Sequence, residues 1–165
     1  MTPLQCADGI AYFLKQKIAE YSEDGRFIAE DGTELIEKVN VFSGFMPRTS
    51  AREAKEKLCP AVVVRPENVI DGTDTSLVRL LINVTTFDDS MFNGHISLYH
   101  LLEWIRLQLL ATNPVPDKNG KERWLIKQGS VSTNIPDEQP FPQWWGYIEC
   151  DIYLPQPETS HVSWR

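Results

Sequence analysis

The sequence predicts an α+β fold: a mostly antiparallel mixed sheet with two main helices packed on one face, main elements in the order α-β-β-β-α-β-β. Three patterns lead there. Apolar residues recur at three- and four-residue spacing in two segments, one opening the chain and one past its middle. Segments of β-branched or alternating residues lie between and after them. The closing segment Gln143–Leu154 alternates without interruption.

Thr2-Pro3 supplies a capping hydroxyl followed by proline at the first helical position. Leu4, Ala7, Ala11, Leu14, Ile18 and Tyr21 then make one apolar stripe. Gly25 and Asp31-Gly32 punctuate a hairpin-like region around Arg26–Ala29, and Leu35–Phe42 reads as the first main strand. Gly44–Leu58 is a polar, charged excursion whose run Ala51–Lys57 suits a short solvated helix. Ala61–Val64 is β-branched, as a strand buried on both faces would be, and Pro66 is expected to end it. In Leu77–Phe87, Val78, Leu80, Ile82 and Val84 point one way, while Arg79, Asn83 and Thr85 share the other face with Leu77 and Leu81.

Asn93-Gly94 opens the strongest helix and Asn113-Pro114 closes it. Leu98, Leu101, Leu102, Ile105 and Leu109 form its core stripe, with Ile96, Leu107 and Leu110 nearly opposite. A helix apolar on two sides is either fully buried or covered on its second side by another subunit. Val115–Gly120 reads as a loop, Arg123–Lys127 and Gly129–Ile135 as short strands, the second polar enough for an edge. In the closing strand Trp144, Gly146, Ile148, Cys150, Ile152 and Leu154 face one side; Trp145, Tyr147, Glu149, Asp151 and Tyr153 face the other. One domain is expected over 1–165, its core about 2–154 and a loose tail over 155–165.

Hydrophobic residues make up 42% and charged residues 24%, an ordinary globular balance. The net charge of -7 argues against a groove that grips nucleic acid, which needs a surplus of Lys and Arg. Cys6, Cys59 and Cys150 are too scattered for a disulfide framework and read as small buried hydrophobes. Met1–Leu4 lacks the basic start of a signal peptide, and no apolar run approaches the ~20 residues of a membrane span. A reduced cytoplasmic setting without a membrane is the expectation.

No residue pattern calls for a catalytic site or a cofactor. His95 and His100 are spaced onto different helix faces and His161 lies in the tail, so no metal set forms. There is no Gly-x-Ser-x-Gly elbow and no phosphate-cradling glycine loop. Asp88-Asp89 after a strand, with Asp71 and Asp74 before it, could hold Mg²⁺ in a nuclease or hydrolase, although Asp-Asp-Ser before a helix is also ordinary turn chemistry. Trp145, Tyr147 and Tyr153 interleave with Glu149 and Asp151 rather than with cations, which suits a protein interface better than stacked bases.

Several segments in order carry a family likeness: Asn40–Phe45 leading to Cys59–Pro66, then Leu80–Asp89, then Gly94 and the helix Leu98–Leu110, then Pro142–Glu149. Together, over residues 36–154, they resemble the small tail terminator (tail completion) proteins of long-tailed bacteriophages and prophages. The resemblance implies an α+β protomer in a hexameric ring that caps the tail tube and joins it to the head connector. It would sit in the virion tail, assembled in the host bacterial cytoplasm, with DNA passing through and not tightly bound. That family offers no catalytic residues or cofactor to carry over. Under it the excursion Gly44–Lys57, with Arg48 and Arg52, and the loop Asn68–Ser76 would be natural ring or tube contacts, beside Ile96, Leu107, Leu110, Trp145, Tyr147 and Tyr153. A small protein-binding adaptor is the remaining alternative.

Overall fold

The structure, a computed structural model, describes residues 1–23, 39–48 and 56–157. Helix α1 spans Pro3–Glu23. Strands β1 (Asn40–Ser43), β2 (Ala61–Asp71) and β3 (Thr75–Phe87) follow, then helix α2 (His95–Ala111). Strands β4 (Val115–Pro116), β5 (Glu122–Ile126), β6 (Ser132–Asn134) and β7 (Gln143–Pro155) complete the order. The hairpin-like region 26–29, residues 35–38 of the first expected strand, the run 51–55 and the tail 158–165 lie outside the described residues.

The fold is α+β, as expected. One curled mixed sheet runs β1-β2-β3-β7-β5-β4, with β6 also on β7. Among the described residues β1 and β2 pair in parallel and the other pairings are antiparallel. The two 13-residue strands β3 and β7 match along their whole length, from Thr75 opposite Pro155 to Phe87 opposite Gln143. Because successive side chains alternate, one face collects Val62, Val64, Val78, Leu80, Ile82, Val84, Ile148, Cys150, Ile152 and Leu154. Both helices pack on that face, α1 through Ile10 and Leu14, α2 through Leu98, Leu101, Leu102, Ile105 and Leu109. Each fully buried aliphatic side chain there contributes about 1.5–3 kcal/mol.

Two short-range devices set the helices in place. Gly146 on the core face of β7 leaves room for Leu102, whose methyl would lie 2.7 Å from any Cβ built there. Asn113, just past α2, donates from its amide to the Ile126 carbonyl at 3.0 Å and accepts from the Ile126 N–H at 2.9 Å, tying the helix end to β5.

Several sequence expectations are corrected. The α1 stripe holds at Ala7, Ala11, Leu14 and Ile18 but is wider on one side, taking in Cys6, Ile10 and Phe13, while Leu4 is exposed. Strand β2 continues through Pro66 to Asp71, with a bulge between Pro66 and Asn68. Proline is tolerated there because β1 pairs no further than Val64, so the missing N–H has a side without a partner strand. The expected loop Asn68–Ser76 is therefore mostly strand, with a tight turn in which the Gly72 N–H donates to the Thr75 carbonyl at 2.9 Å. Val115–Pro116 pairs with β5 instead of belonging to a loop, and β6 shrinks to Ser132–Asn134.

Candidate interaction surfaces

The first surface is the outward side of α2. Ile96, Tyr99, Leu107 and Leu110 fall on it at three-, eight- and eleven-residue spacing, opposite the buried stripe. Leu107 is 47% exposed and Leu110 52%, so the fully buried reading of this second apolar side does not hold within one copy. Between the two halves of the stripe, Arg106 grips Glu103 with two bonds of 2.9 and 2.7 Å, and that pairing holds the Glu103 carboxyl below its usual range. Tyr99, exposed beside Ile96, belongs to this surface. Its three-residue step from Ile96 was the available signal.

The second surface is the sheet face away from the helices. Cross-strand pairs stand along it: Thr85 with Trp145, Asn83 with Tyr147, Leu81 with Glu149, Arg79 with Asp151, Leu77 with Tyr153. Trp145 and Tyr147 stack with centroids 5.8 Å apart and planes at 23°. The Arg79 guanidinium meets Asp151 at 3.0 Å, so the acidic residues here are partly neutralised. Trp145, Tyr147 and Tyr153 are half-buried, and neither α1 nor α2 packs on this face. The segment before β7 fastens this end: Gln139 accepts from the Trp145 N–H at 2.7 Å and donates to the Trp145 carbonyl at 3.0 Å.

On the same face an open trough of about 710 Å³ lies between Phe45, Met46, Pro47, Arg48 and Leu58 on one side and Pro140, Gln143 and Trp145 on the other. Its floor is Val63, Arg65, Asn83 and Thr85. The Arg65 guanidinium sits 5.5 Å from the centre of the Phe45 ring. Arg48, one of the two expected contact cations, thus lines a built depression; Arg52 lies outside the described residues. Tyr153 and Leu110 meet at a second depression of about 480 Å³, with Leu125 and Val131.

The acidic residues do not converge. Asp71 accepts from the Ser76 hydroxyl at 2.6 Å at the start of β3, and Asp74 lies in the same turn. Asp88 accepts from the Ser90 N–H at 2.8 Å beyond the far end of β3. At ~3.3 Å per residue the strand holds the two pairs roughly 40 Å apart, so one Mg²⁺ cannot bridge all four. Among the described residues no group of three or more His, Cys, Asp or Glu is close enough to share a metal ion. Cys6 and Cys150 are buried, and burial, with Cys150 as the second cause for Cys6 and Asp151 for Cys150, pushes both thiols up to about 12. His95 instead packs beside Tyr99 and Trp144 at 5.7 and 6.0 Å between centroids. No helix among the described residues is long and apolar enough to cross a membrane.

A third feature was missed in the sequence. Between Asp88-Asp89 and α2, Met91 and Phe92 project 76% and 86% exposed. The turn that presents them is well tied. The Asn93 N–H donates to the Ser90 hydroxyl at 3.2 Å, the Gly94 N–H to the Ser90 carbonyl at 3.1 Å, and the Trp144 indole to the Asp88 carbonyl at 3.0 Å. An apolar pair inside an otherwise polar turn was the signal that could have found it. Comparisons with protein-family models and with curated protein sequences return no match for the chain.

Proposed function

We propose that the chain is a ring-forming tail terminator, a structural assembly protein that caps a phage tail tube and joins it to the head connector. One observation carries the self-association in this reading. Two surfaces with exposed or half-buried apolar side chains among the described residues, the outer stripe of α2 and the aromatic sheet face, lie on opposite sides of the sheet-and-helix layers. A two-fold dimer would cover a single patch with its own copy, whereas two different patches on opposite flanks favour head-to-tail contacts that close into a ring. The resemblance over residues 36–154 supplies the rest: six copies, a tube protein on one side, a connector on the other, and location in the virion tail. The net charge of -7 supports a channel that DNA passes without being held.

Native mass spectrometry tests the reading. The wild-type chain is expected as a closed oligomer that binds tail tube protein, and Leu107→Ser with Leu110→Ser is expected to shift it to monomer. Only monomer at high concentration, with no binding to tube protein, would overturn it.

A further inference from the structure

We infer that the contact between neighbouring copies is a knob in a trough: Met91 and Phe92 of one copy, with Asp89 beside them, seat between Phe45, Leu58, Val63 and Trp145 of the next. The inference rests on the self-association reading above and names its anchor.

Four observations carry it. Phe92 and Met91 are two of the three most exposed large hydrophobic side chains among the described residues, the third being Phe45 on the rim of the trough, and the tied turn holds them out from the surface. Large apolar side chains entering a pocket with little ordering cost are the usual anchors of an interface. The trough's volume, about 710 Å³, can take large side chains, and its open side suits an inserted turn better than an enclosed small molecule.

The charges also match. Arg48 and Arg65 line the trough of a chain with net charge -7, and neither has an ion pair among the described residues. Asp89 is exposed beside the knob, two residues from Met91. Opposed charges of this kind steer docking and set its register.

The placement suits a ring and not self-occupancy. Trough residues Thr85, Gln143 and Trp145 and the knob both belong to the Phe87–Gln143 end of the β3–β7 pair. The knob leads into α2, which packs on the covered face, while the trough opens on the other face. Within one copy the turn is tied to the segment bordering the trough, the Asp88 N–H donating to the Pro142 carbonyl at 3.0 Å, on the side from which α2 departs. Knob and trough thus stand at one level of the sheet, where a neighbouring copy can bring them together.

The test places the photo-crosslinker p-benzoylphenylalanine at position 92 of the full chain and maps the products after irradiation. Cross-links between copies to peptides containing Leu58–Arg65 or Pro140–Trp145 are expected. Phe92→Ser, at a site exposed within one copy, is expected to leave the circular-dichroism spectrum of the folded chain unchanged and to raise the dissociation constant of the oligomer at least tenfold. Arg48→Glu should weaken it, and adding Asp89→Arg should restore part of the loss. An oligomer that survives Phe92→Ser and cross-links outside the trough overturns this contact and leaves the ring reading standing. A wild-type chain that is only monomeric overturns both.

Discussion

Helix α2 presents two apolar sides of similar composition with opposite fates. Leu98, Leu101, Leu102, Ile105 and Leu109 are almost wholly excluded from water against the sheet, while Ile96, Tyr99, Leu107 and Leu110 face out. Hydrophobicity by itself does not separate them; the helix has one sheet to lie on and can turn only one side to it. The difference teaches that the inner stripe holds the protomer together, and that the outer stripe is surplus to that task and available for a partner.

That division can be broken from the inside first. Leu101→Ala removes a fully buried side chain between α2 and the sheet and should cost about 2–5 kcal/mol, read as a lower denaturation midpoint at unchanged slope. The outer double variant, Leu107→Ser with Leu110→Ser, should leave monomer stability within about 0.5 kcal/mol. A comparable loss from the outer pair would erase the distinction.

Alkali probes the inner side next. Folded, Cys6 and Cys150 keep their protons to about 12, whereas the unfolded thiols release theirs near 9.0. Between those values the folded state binds more protons than the unfolded one, so stability falls as pH rises through that window and is fully present below it. The slope reaches at most about 1.4 kcal/mol per pH unit for each thiol. Denaturation midpoints at pH 8, 10 and 11 should drop more steeply in the wild type than in a Cys6→Ala, Cys150→Ala variant; parallel curves would contradict the assignment.

At the helix end, Asn113→Ala strips two bonds from Ile126, a buried residue, and leaves its N–H and carbonyl without those partners. The expected cost is about 1–3 kcal/mol. It should appear as faster amide exchange at Ile126 while the outer stripe is unaffected.

Much of this was legible from period alone. β7 and β3 alternate cleanly, and α2 shows its inner stripe, because each of these long elements has a single buried side. Pro66 was misread because a proline's effect depends on whether a neighbouring strand asks for its N–H, and β1 stops short of it. The α1 stripe was legible at Ala7, Ala11, Leu14 and Ile18, but Leu4 was misplaced and Cys6, Ile10 and Phe13 were missed, because the small residues Ala7, Gly9 and Ala11 carry little periodic signal. At Gly9 the Trp124 ring lies against the backbone where a side chain would stand, so the face was chosen by a residue far away in sequence. The outer apolar residues on α2 and β7 were visible as positions left over, whereas the trough joins residues from Phe45 to Trp145 and no local pattern announces it.

One detail of the sheet bears on how the chain can vary. β6 covers β7 at Tyr147–Glu149 and β5 covers it at Ile152–Tyr153, and between them the Asp151 N–H donates to the Ser130 hydroxyl at 3.1 Å. The Lys127 N–H donates to the Asp151 carbonyl at 2.8 Å, and Gly129 makes the turn possible at φ +78°. A hydroxyl and a reversed turn thus replace a missing stretch of strand. Sequence drift can relax many side chains here, but inserting or deleting one residue between Lys127 and Ser130 would slide β6 against its neighbour and displace Val131 and Ile135, which flank it and pack against the core. In this chain the length of a short turn sets the sheet's register as firmly as a core leucine sets its packing.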